Sequence, residues 1–244
     1  MTGFTFDEAR SARSRPEEPV ADSQDTCWSV VRAASEGDAD ARSAFGRSYA
    51  GAIRGFLAAR WRASHALRDE LDDAVQEVFV ECLKPGGVLD RADPERGDFR
   101  GLLFAVGRNV ARRFEERALA RRRIHPDDEW LGEVASDDPG QETVFDRNWA
   151  RTLLRLCRRR HRALAFADGE AGRRRIELLE RRFRDDEAIR DIAARWGVSA
   201  DQVHQAYRKA RGEFYRCLRD VVARHAPAGA DVDAECRRLL HLGG

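Results

Sequence analysis

The sequence predicts an all-α fold, in which two small helical domains are joined by an acidic, flexible linker. Only 7 of the 244 residues are proline, and Ala, Leu, Arg and Glu, which favour helices, are abundant. Apolar residues recur three or four positions apart through most of the chain, and no segment alternates as a strand does. This pattern stops at an acidic stretch that contains Pro126, Pro139 and Gly140, which is typical of an interdomain linker.

The boundaries of these parts follow from changes in composition. Residues 1–25 carry scattered charges without apolar periodicity and are expected to form a disordered tail. The remaining divisions are a first helical domain at 26–124, an acidic linker at 125–142, a second helical domain at 143–223 and a C-terminal extension at 224–244, with a short helix near Val232–His241.

Recognisable signals bound the predicted helices. In the first domain, Asp38 is expected to cap the second helix, and Lys84-Pro85-Gly86-Gly87 is expected to end the third, which starts near Leu67. A fourth helix runs roughly from Phe99 to Arg122. The second domain is predicted to hold helices at 143–164 and 173–183, and a helix-turn-helix at 186–222.

The composition excludes some classes of protein. Charged residues make up 36% of the chain, and no window reaches the roughly 18 uncharged apolar residues of a membrane span. The segment Met1–Ala21 lacks the apolar core of a signal peptide. We therefore expect a cytoplasmic protein without a membrane partner.

The five cysteines do not indicate a metal or redox site. They lie far apart in the sequence, and none forms a Cys-x-x-Cys pair. Cys157 and His161 are four residues apart on a predicted helix, as two metal ligands could be, but two ligands do not complete a site. An odd number of cysteines fits a reducing compartment. We expect no metal and no cofactor.

The second half of the helix-turn-helix carries strong local signals. Ser199 and Gln202 have the spacing of a capping box, in which each side chain satisfies a backbone N–H of the other residue. Val198 and Val203 flank the cap as a hydrophobic staple does. Gly197 can adopt the positive φ that a short turn between helices demands. We therefore predict a tight turn followed by a recognition helix.

The outward face of that recognition helix carries side chains suited to DNA. Its residues are His204, Gln205, Arg208 and Lys209. Gln and Arg can form paired hydrogen bonds with base edges in the major groove. Lys209 and Arg211 can bind phosphates, which adds affinity without sequence information. The alternative is a polar, solvated face on a structural helical hairpin.

Charge is segregated along the chain, although its net charge is only +1. Residues 64–98 sum to −6, residues 99–124 to +6 and residues 125–146 to −8. Such segregation is uncommon for a solvated surface and indicates separate positive and negative partners. The arginines of 99–124 could form a track for single-stranded DNA. They could instead pair with the acidic segment that precedes them.

Acidic residues line one side of the helix before this arginine-rich segment. They are Asp72, Asp73, Glu77 and Glu81, with Gln76 beside them. Paired carboxylates can serve acid–base catalysis or bind a metal, so a hydrolase is one interpretation. No histidine at ligand spacing, Gly-rich phosphate loop or activated nucleophile accompanies them. We therefore expect a protein-binding face, and a protein that is not an enzyme.

Three of these segments resemble a known family. Asp73-Ala74-Val75-Gln76-Glu77-Val78-Phe79 resembles the D-x-x-Q-E-x-F stretch in region 2 of sigma-70 family factors, especially the small extracytoplasmic-function (ECF) group. Phe99-Arg100-Gly101-Leu102-Leu103 with Gly107-Arg108-Asn109 resembles that group's F-R-x-W-L…A-R-N run. Ile192-Ala193 through Gly197-Val198-Ser199 to Lys209-Ala210-Arg211 resembles its region 4 pattern. The resemblance covers roughly residues 25–222, and the run 144–150 looks like a variant subgroup.

The resemblance implies a sigma factor that binds core RNA polymerase and directs promoter recognition, DNA melting and transcription initiation. The first domain would be region 2-like and the second region 4-like, and the linker would run into the polymerase cleft. Asp73, Gln76, Glu77 and Phe79 would dock on the clamp helices of the largest polymerase subunit. The flap region of polymerase would be a further contact of the protein. The minus-10 contacts would be Phe99, Arg100, Arg108, Asn109, Arg112 and Arg113. The minus-35 contacts would be Ser199, Gln202, His204, Gln205, Arg208, Lys209 and Arg211. An anti-sigma factor is a further partner that such a protein can have.

The chain departs from the family pattern at several positions. Leu102 stands where the family has tryptophan, and Arg113 stands where it has aspartate. Ala188 replaces the serine cap before the first region 4 helix, so Asp185 or Asp186 is expected to cap it. These differences leave the promoter sequence open.

A second function from another class fits the helix-turn-helix alone. The chain could be a stand-alone transcriptional regulator that binds an operator as a dimer. Such a protein needs a dimer interface, and no sustained heptad pattern is visible in the sequence. Binding of a palindromic duplex without polymerase would favour this alternative.

Overall fold

Ten helices and no strand make up the computed structural model over the residues it describes, which are 27–89, 99–124, 139–227 and 229–243. The all-α prediction is confirmed for these ranges. The helices are α1 (Cys27–Ser35), α2 (Ala39–Arg60), α3 (His65–Asp69), α4 (Leu71–Leu83), α5 (Phe99–Ile124), α6 (Pro139–Ala167), α7 (Gly169–Phe183), α8 (Ile189–Trp196), α9 (Ala200–His225) and α10 (Val232–Gly243). The predicted tail and residues 125–138 of the predicted linker lie outside the described residues.

Several helix ends match their predicted signals, and others differ. Asp38 caps α2, because its carboxylate accepts a hydrogen bond from the Ala41 N–H at 2.8 Å. The predicted helix that starts near Leu67 is two helices, since Ser64 caps the short α3 and the chain leaves helical geometry at Glu70 (ψ 7°). Helix α6 begins at Pro139, four residues earlier than predicted, because proline is tolerated at the first position of a helix.

One hydrophobic core collects side chains from both sides of residues 125–138. Its buried residues come from α1, α2, α3, α4, α5, α6, α9 and α10. Aromatic rings form its centre, where Trp149 of α6 stacks on Tyr49 of α2 with centroids 5.7 Å apart and planes at 11°. Phe99 of α5 contacts both rings, at 5.0 Å from Tyr49 and 5.9 Å from Trp149. Helix α6 is therefore packed on the helices of the first predicted domain.

A glycine allows α2 and α6 to approach closely. A Cβ atom at Gly55 would lie 2.5 Å from the Asn148 side chain, which is too short for any non-bonded contact. Asn148 is held in place because its Nδ2 donates to the Val144 carbonyl at 2.9 Å. The run 144–150 noted in the sequence therefore supplies residues of α6 that contact α2, namely Phe145, Asn148 and Trp149.

A second, smaller cluster lies under the helix-turn-helix. It consists of Leu178 of α7, Ile192 and Ala193 of α8, and Val203 of α9, all buried. The C-terminal half of α9 belongs to the large core instead, through residues such as Leu218 and Val222. The 26-residue α9 therefore connects the two clusters, because its two halves are buried in different ones.

The C-terminal extension folds against the large core. Cys236 and Leu239 of α10 are fully buried, and the helix confirms the one predicted near Val232–His241. Arg238 of α10 reaches Asp146 of α6 at 3.2 Å. No helix in the described ranges is long and apolar enough to cross a lipid bilayer.

Buried polar groups are paired at two places in the core. The Arg60 guanidinium binds the Glu115 carboxylate through two hydrogen bonds of 2.5 and 2.8 Å, and the Trp61 indole N–H donates to the same carboxylate at 2.8 Å. This arrangement ties the end of α2 to α5. The Tyr49 hydroxyl and the His225 Nε2 lie 2.8 Å apart and tie α2 to α9.

Cys157 and His161 are packing residues in this structure. The Cys157 thiol faces the Phe214 carbonyl at 3.7 Å, and burial raises its pKa to about 12. The His161 ring lies edge-on to Phe214, with centroids 5.8 Å apart. No group of three His, Cys, Asp or Glu side chains within the described ranges could hold a metal ion.

Candidate nucleic-acid and protein interfaces

The turn of the helix-turn-helix is built around Gly197. This residue follows α8 in the left-handed conformation, with φ 64° and ψ 34°, which confirms the predicted positive φ. The Val198 N–H donates to the Ala193 carbonyl at 3.1 Å, and the Gly197 N–H donates to the Ala194 carbonyl at 3.3 Å. These two bonds form a Schellman motif, which ends α8 sharply and redirects the chain into α9.

The predicted capping box at the start of α9 is confirmed. The Ser199 Oγ accepts a hydrogen bond from the Gln202 N–H at 3.3 Å, and the Gln202 Oε1 accepts one from the Ser199 N–H at 2.9 Å. Both side chains are exposed but already hydrogen bonded to the helix end. Their role in this structure is therefore to fix the start of α9.

The expected cap of α8 is wrong. The residue at the N-cap position is Ala188, which provides no side-chain hydrogen bond, whereas Asp185 accepts one from Arg184 instead. Asp186 has a φ of 47° and lies before the helix. The neighbouring Glu187 holds this segment, since its carboxylate accepts hydrogen bonds from Arg181 at 2.9 Å and from Arg195 at 3.0 Å. Helix α8 therefore starts later, without a side-chain cap.

The first half of α9 presents a polar face to solvent. Its exposed residues include His204, Gln205, Arg208, Lys209 and Arg211. Val203 and Ala210 are buried on the opposite side, so α9 is held by its apolar face. The Arg211 guanidinium carbon lies 5.7 Å from the centre of the Tyr207 ring. This face has the width and chemistry of a major-groove reader.

The acidic helix α4 exposes only some of the residues expected to bind polymerase. Asp73 and Gln76 are exposed, and Val80 beside them is 48% exposed. Glu77 is half-buried, and its carboxylate lies 3.4 Å from the Arg113 guanidinium. Phe79 points inward and packs edge-to-face on Phe45, with centroids 5.6 Å apart. The surface available to a partner therefore consists of Asp73, Gln76 and Val80, with Glu77 at its edge.

Two of the expected minus-10 residues lie inside the fold. Phe99 is fully buried, and its ring is part of the aromatic centre of the core rather than a surface for a base. The Arg100 guanidinium pairs with Asp146 and, at 3.0 Å, with Glu142. Both residues therefore attach the start of α5 to α6.

The other four minus-10 residues lie further along α5. Asn109, Arg112 and Arg113 are exposed and line a cleft of about 370 Å³ that Glu81 and Val88 also border. Arg108 is half-buried, and its guanidinium carbon lies 5.9 Å from the centre of the Phe104 ring. The cleft combines amide, guanidinium and apolar groups, which can contact an exposed nucleobase and its phosphate, with the carboxylates of Glu81 and Glu116.

Ion pairs with α4 and the residue before it neutralise part of the positive charge of α5. Arg113 binds Glu81 at 2.9 Å, and hydrogen bonds from Lys84 and then Arg113 hold the pKa of Glu81 below its usual value. Arg121 pairs with Glu70. For the arginines of 99–124, the sequence predicts either a track for single-stranded DNA or pairing with the preceding acidic segment. The structure shows such pairing at Arg113 and Arg121.

Sequence reasoning missed a basic face on α6. Residues 147–162 contain seven arginines and no acidic residue, which is the signal that could have revealed it. Six of these arginines are exposed.

No protein-family model matches this sequence, and no curated protein matches it. Function is therefore inferred from the chemistry of the surfaces themselves.

Proposed function

We propose that this chain is a sigma factor of the sigma-70 family, similar to the ECF group, which binds core RNA polymerase and directs promoter recognition, DNA melting and transcription initiation. The observation that carries the DNA-binding part of the proposal is the start of α9, and the exposed face of α4 carries the polymerase-binding part. A glycine turn and a capping box fix this helix, and His204, Gln205 and Arg208 project from it into solvent. Such a helix can enter the major groove of the minus-35 element.

The exposed residues of α4 are the proposed contact with polymerase. Asp73 and Gln76 offer a carboxylate and an amide next to the apolar Val80, which is a mixture common in protein interfaces. Docking on the clamp helices of the largest subunit would use these residues and Glu77. Phe79 would act from within, because it packs on Phe45 and fixes α4 in the fold.

The cleft on α5 is the proposed site for the minus-10 element. Asn109, Arg112 and Arg113 would contact a base or phosphate that enters it. Phe99 and Arg100 would act indirectly, since they attach α5 to α2 and α6. Residues 26–124 and 143–223 are the two proposed functional units, joined by the acidic segment at 125–142, whose last residues, 139–142, belong to α6. The small hydrophobic cluster under the helix-turn-helix is separate from the large core, whereas α6 and the end of α9 share that core with the helices of 26–124.

Reconstituted transcription tests the proposal. The purified chain is added to core polymerase of its own organism, with a library of genomic promoter fragments, and the transcripts are mapped. We expect specific starts that core polymerase alone does not make. If no fragment shows such starts, and the chain binds a palindromic duplex tightly without polymerase, the operator-binding regulator replaces the sigma factor.

The polymerase contact leads to a mutational prediction. Replacing Gln76 and Glu77 by alanine should weaken binding to core polymerase, because both change the exposed face of α4 without entering the core. The affinity is measured by titration of labelled protein with core polymerase. The control is Glu36→Ala with Asp40→Ala, which removes two exposed acids near the start of α2, away from α4 in the sequence. Equal affinity in both variants would contradict the proposed role of α4.

A further inference from the structure

Five arginines form one continuous stripe on α6. Arg147, Arg151, Arg155, Arg158 and Arg162 are spaced by four, four, three and four residues, and all are exposed. At 100° per residue, this spacing keeps them within an arc of about 80° on the helix surface. The stripe, here called the α6 arginine face, is about 22 Å long at 1.5 Å per residue.

Packing of the opposite side holds this face outward. Phe145, Trp149, Leu153 and Cys157 of α6 are buried in the large core. Arg155 is fixed further, since its Nη2 donates to the Thr152 hydroxyl at 3.2 Å and lies over Gly51 of α2, where a Cβ atom would be 3.0 Å away. The arginines therefore project from a rigid support.

Carboxylates neutralise little of the α6 arginine face. In the part of the chain that the structure describes, Arg162 pairs with Glu180 of α7, and the other four form no ion pair. The arginines of α5 differ, because Arg113 and Arg121 pair with acidic residues of the preceding segment. Within the described residues, four of the five arginines of the α6 arginine face therefore keep an unpaired positive charge.

Helix stability does not explain this arrangement. Like charges four residues apart destabilise a helix by roughly 0.2–0.5 kcal/mol per pair, so alternating glutamates would serve the helix better. Arginine binds phosphate oxygens through two parallel hydrogen bonds. A stripe of about 22 Å is long enough for several of its arginines to contact phosphates on the side of a duplex that faces it.

We propose that the α6 arginine face binds the phosphate backbone of duplex DNA without reading its sequence. This face is a second DNA-binding surface in addition to the recognition helix. The choice of DNA, rather than another polyanion, as its ligand rests on the proposed function. Arg162 connects the face to α7 through Glu180, and α7 packs on α8 and α9 through Leu178. The C-terminal end of the face is therefore linked to the helix that packs under the helix-turn-helix.

Binding of a random-sequence duplex at several salt concentrations tests this site. Full-length protein is titrated into a labelled duplex of about 30 base pairs and followed by fluorescence anisotropy. The variant is Arg147→Gln, Arg151→Gln and Arg158→Gln together. We expect its affinity to fall at least about tenfold near 0.1 M salt, and the slope of log K against log salt to fall by about 2.7, or 0.9 for each lost phosphate contact.

Two further variants separate this effect from others. Arg32→Gln, Arg62→Gln and Arg68→Gln remove the same charge from exposed positions elsewhere and should leave the slope nearly unchanged. The variant with Arg147→Lys, Arg151→Lys and Arg158→Lys keeps the charge and should retain most of the slope. Equal slopes for the two glutamine variants would overturn the proposal. Binding that depends on the face for anionic phospholipid vesicles but not for duplex would also overturn it.

The same proteins distinguish this inference from the proposed function. Transcription from mapped promoters is measured with the unmodified chain. If it starts no specific transcripts but the slope still depends on the α6 arginine face, the sigma proposal fails and the DNA site stands. If it starts specific transcripts and the slopes do not differ, the sigma proposal stands and this inference fails.

Discussion

At the scale of single residues, His225 illustrates how burial sets chemistry. Its Nδ1 lies 2.7 Å from the Val221 carbonyl and must donate to it, so its Nε2 accepts the proton of the Tyr49 hydroxyl at 2.8 Å. Burial lowers the pKa of His225 to about 4, and the nearby Arg224 adds to this effect, while the Val221 carbonyl opposes it. The neutral ring is therefore the form that joins α2 to α9.

This pKa predicts a pH dependence of stability. Unfolded His225 binds a proton near pH 6.5, whereas the folded form does so near pH 4. Between these values unfolding takes up a proton, so the free energy of unfolding should decrease as the pH falls, by up to about 3 kcal/mol. His225→Gln, measured by urea unfolding at pH 7 and pH 4.5, should lose much of this difference. Burial also lowers the pKa of His161, so some dependence should remain.

The exposed His204 provides the control for that measurement. His204→Gln changes the same residue type where no partner depends on it, and the pH dependence should be that of the unmodified protein. If His225→Gln and His204→Gln behave alike, the buried hydrogen bond to Tyr49 is not what couples stability to pH.

Arg208 allows the proposed readout to be tested at one side chain. It is exposed on the recognition face of α9. If Arg208 contacts a base, Arg208→Ala should cost roughly 1–3 kcal/mol of binding and relax the preference at one base step. Selection of bound duplexes from a randomised minus-35 library measures this. A uniform loss across all sequences would instead make Arg208 a phosphate contact.

At the scale of elements, α6 has two faces with different roles. One face packs on α2 with Phe145 and Trp149, and the opposite face carries the exposed arginines. The C-terminal end of α6 lies against α7 at Gly172, where a Cβ atom would be only 1.9 Å from the Ala165 carbonyl oxygen. The position of α7, and with it the helix-turn-helix, depends on this close approach.

Gly172→Ala should therefore destabilise the protein. The contact is with backbone, so α7 must move away from α6, at a cost of about 1–3 kcal/mol. Gly46→Ala in α2 is the matched control, because open space surrounds that position and alanine favours a helix by up to about 1 kcal/mol. Urea unfolding should move in opposite directions for the two variants. Stabilisation by Gly172→Ala would contradict the proposed packing.

At the scale of the whole molecule, two hydrophobic clusters of unequal size divide the fold. The large core includes residues from eight helices, whereas the cluster under the helix-turn-helix has four buried residues. Local stability generally follows the amount of buried apolar contact. The helix-turn-helix should therefore open more easily than the rest of the chain, although α9 runs through both clusters.

Hydrogen exchange under native conditions tests this difference. Backbone amides of α8 and of the first half of α9 should exchange at a lower free energy of opening than those of α2 and α6. Ile192→Ala should increase exchange in α7, α8 and the start of α9 only. Trp149→Ala should increase it in α2, α6 and the end of α9, because its ring stacks on Tyr49. Equal protection in both regions would show a single cooperative unit.

Much of the helix-turn-helix could be predicted from the sequence, for a physical reason. The capping box of Ser199 and Gln202, the left-handed Gly197 and the Asp38 cap depend on groups within a few residues of each other. The expected cap of α8 by Asp185 or Asp186 is wrong. Asp185 binds Arg184 instead, and the chain next to α8 is held by Glu187, which binds Arg181 of α7 and Arg195 of α8. Local chemistry therefore determined where the recognition helix starts and which side chains it exposes.

Only the tertiary structure decided which charges and rings remain available. Phe99 and Arg100 match a family motif, yet packing on α2 and α6 buries the ring and pairs the guanidinium. The Tyr49–His225 hydrogen bond joins residues 176 positions apart. The sequence by itself determined the helices and the chemistry along them. The tertiary structure decided that Arg113 and Arg121 of α5 pair with neighbouring acids, whereas Arg147, Arg151, Arg155 and Arg158 of α6 form no ion pair within the described residues, because ion pairing depends on which helices pack together.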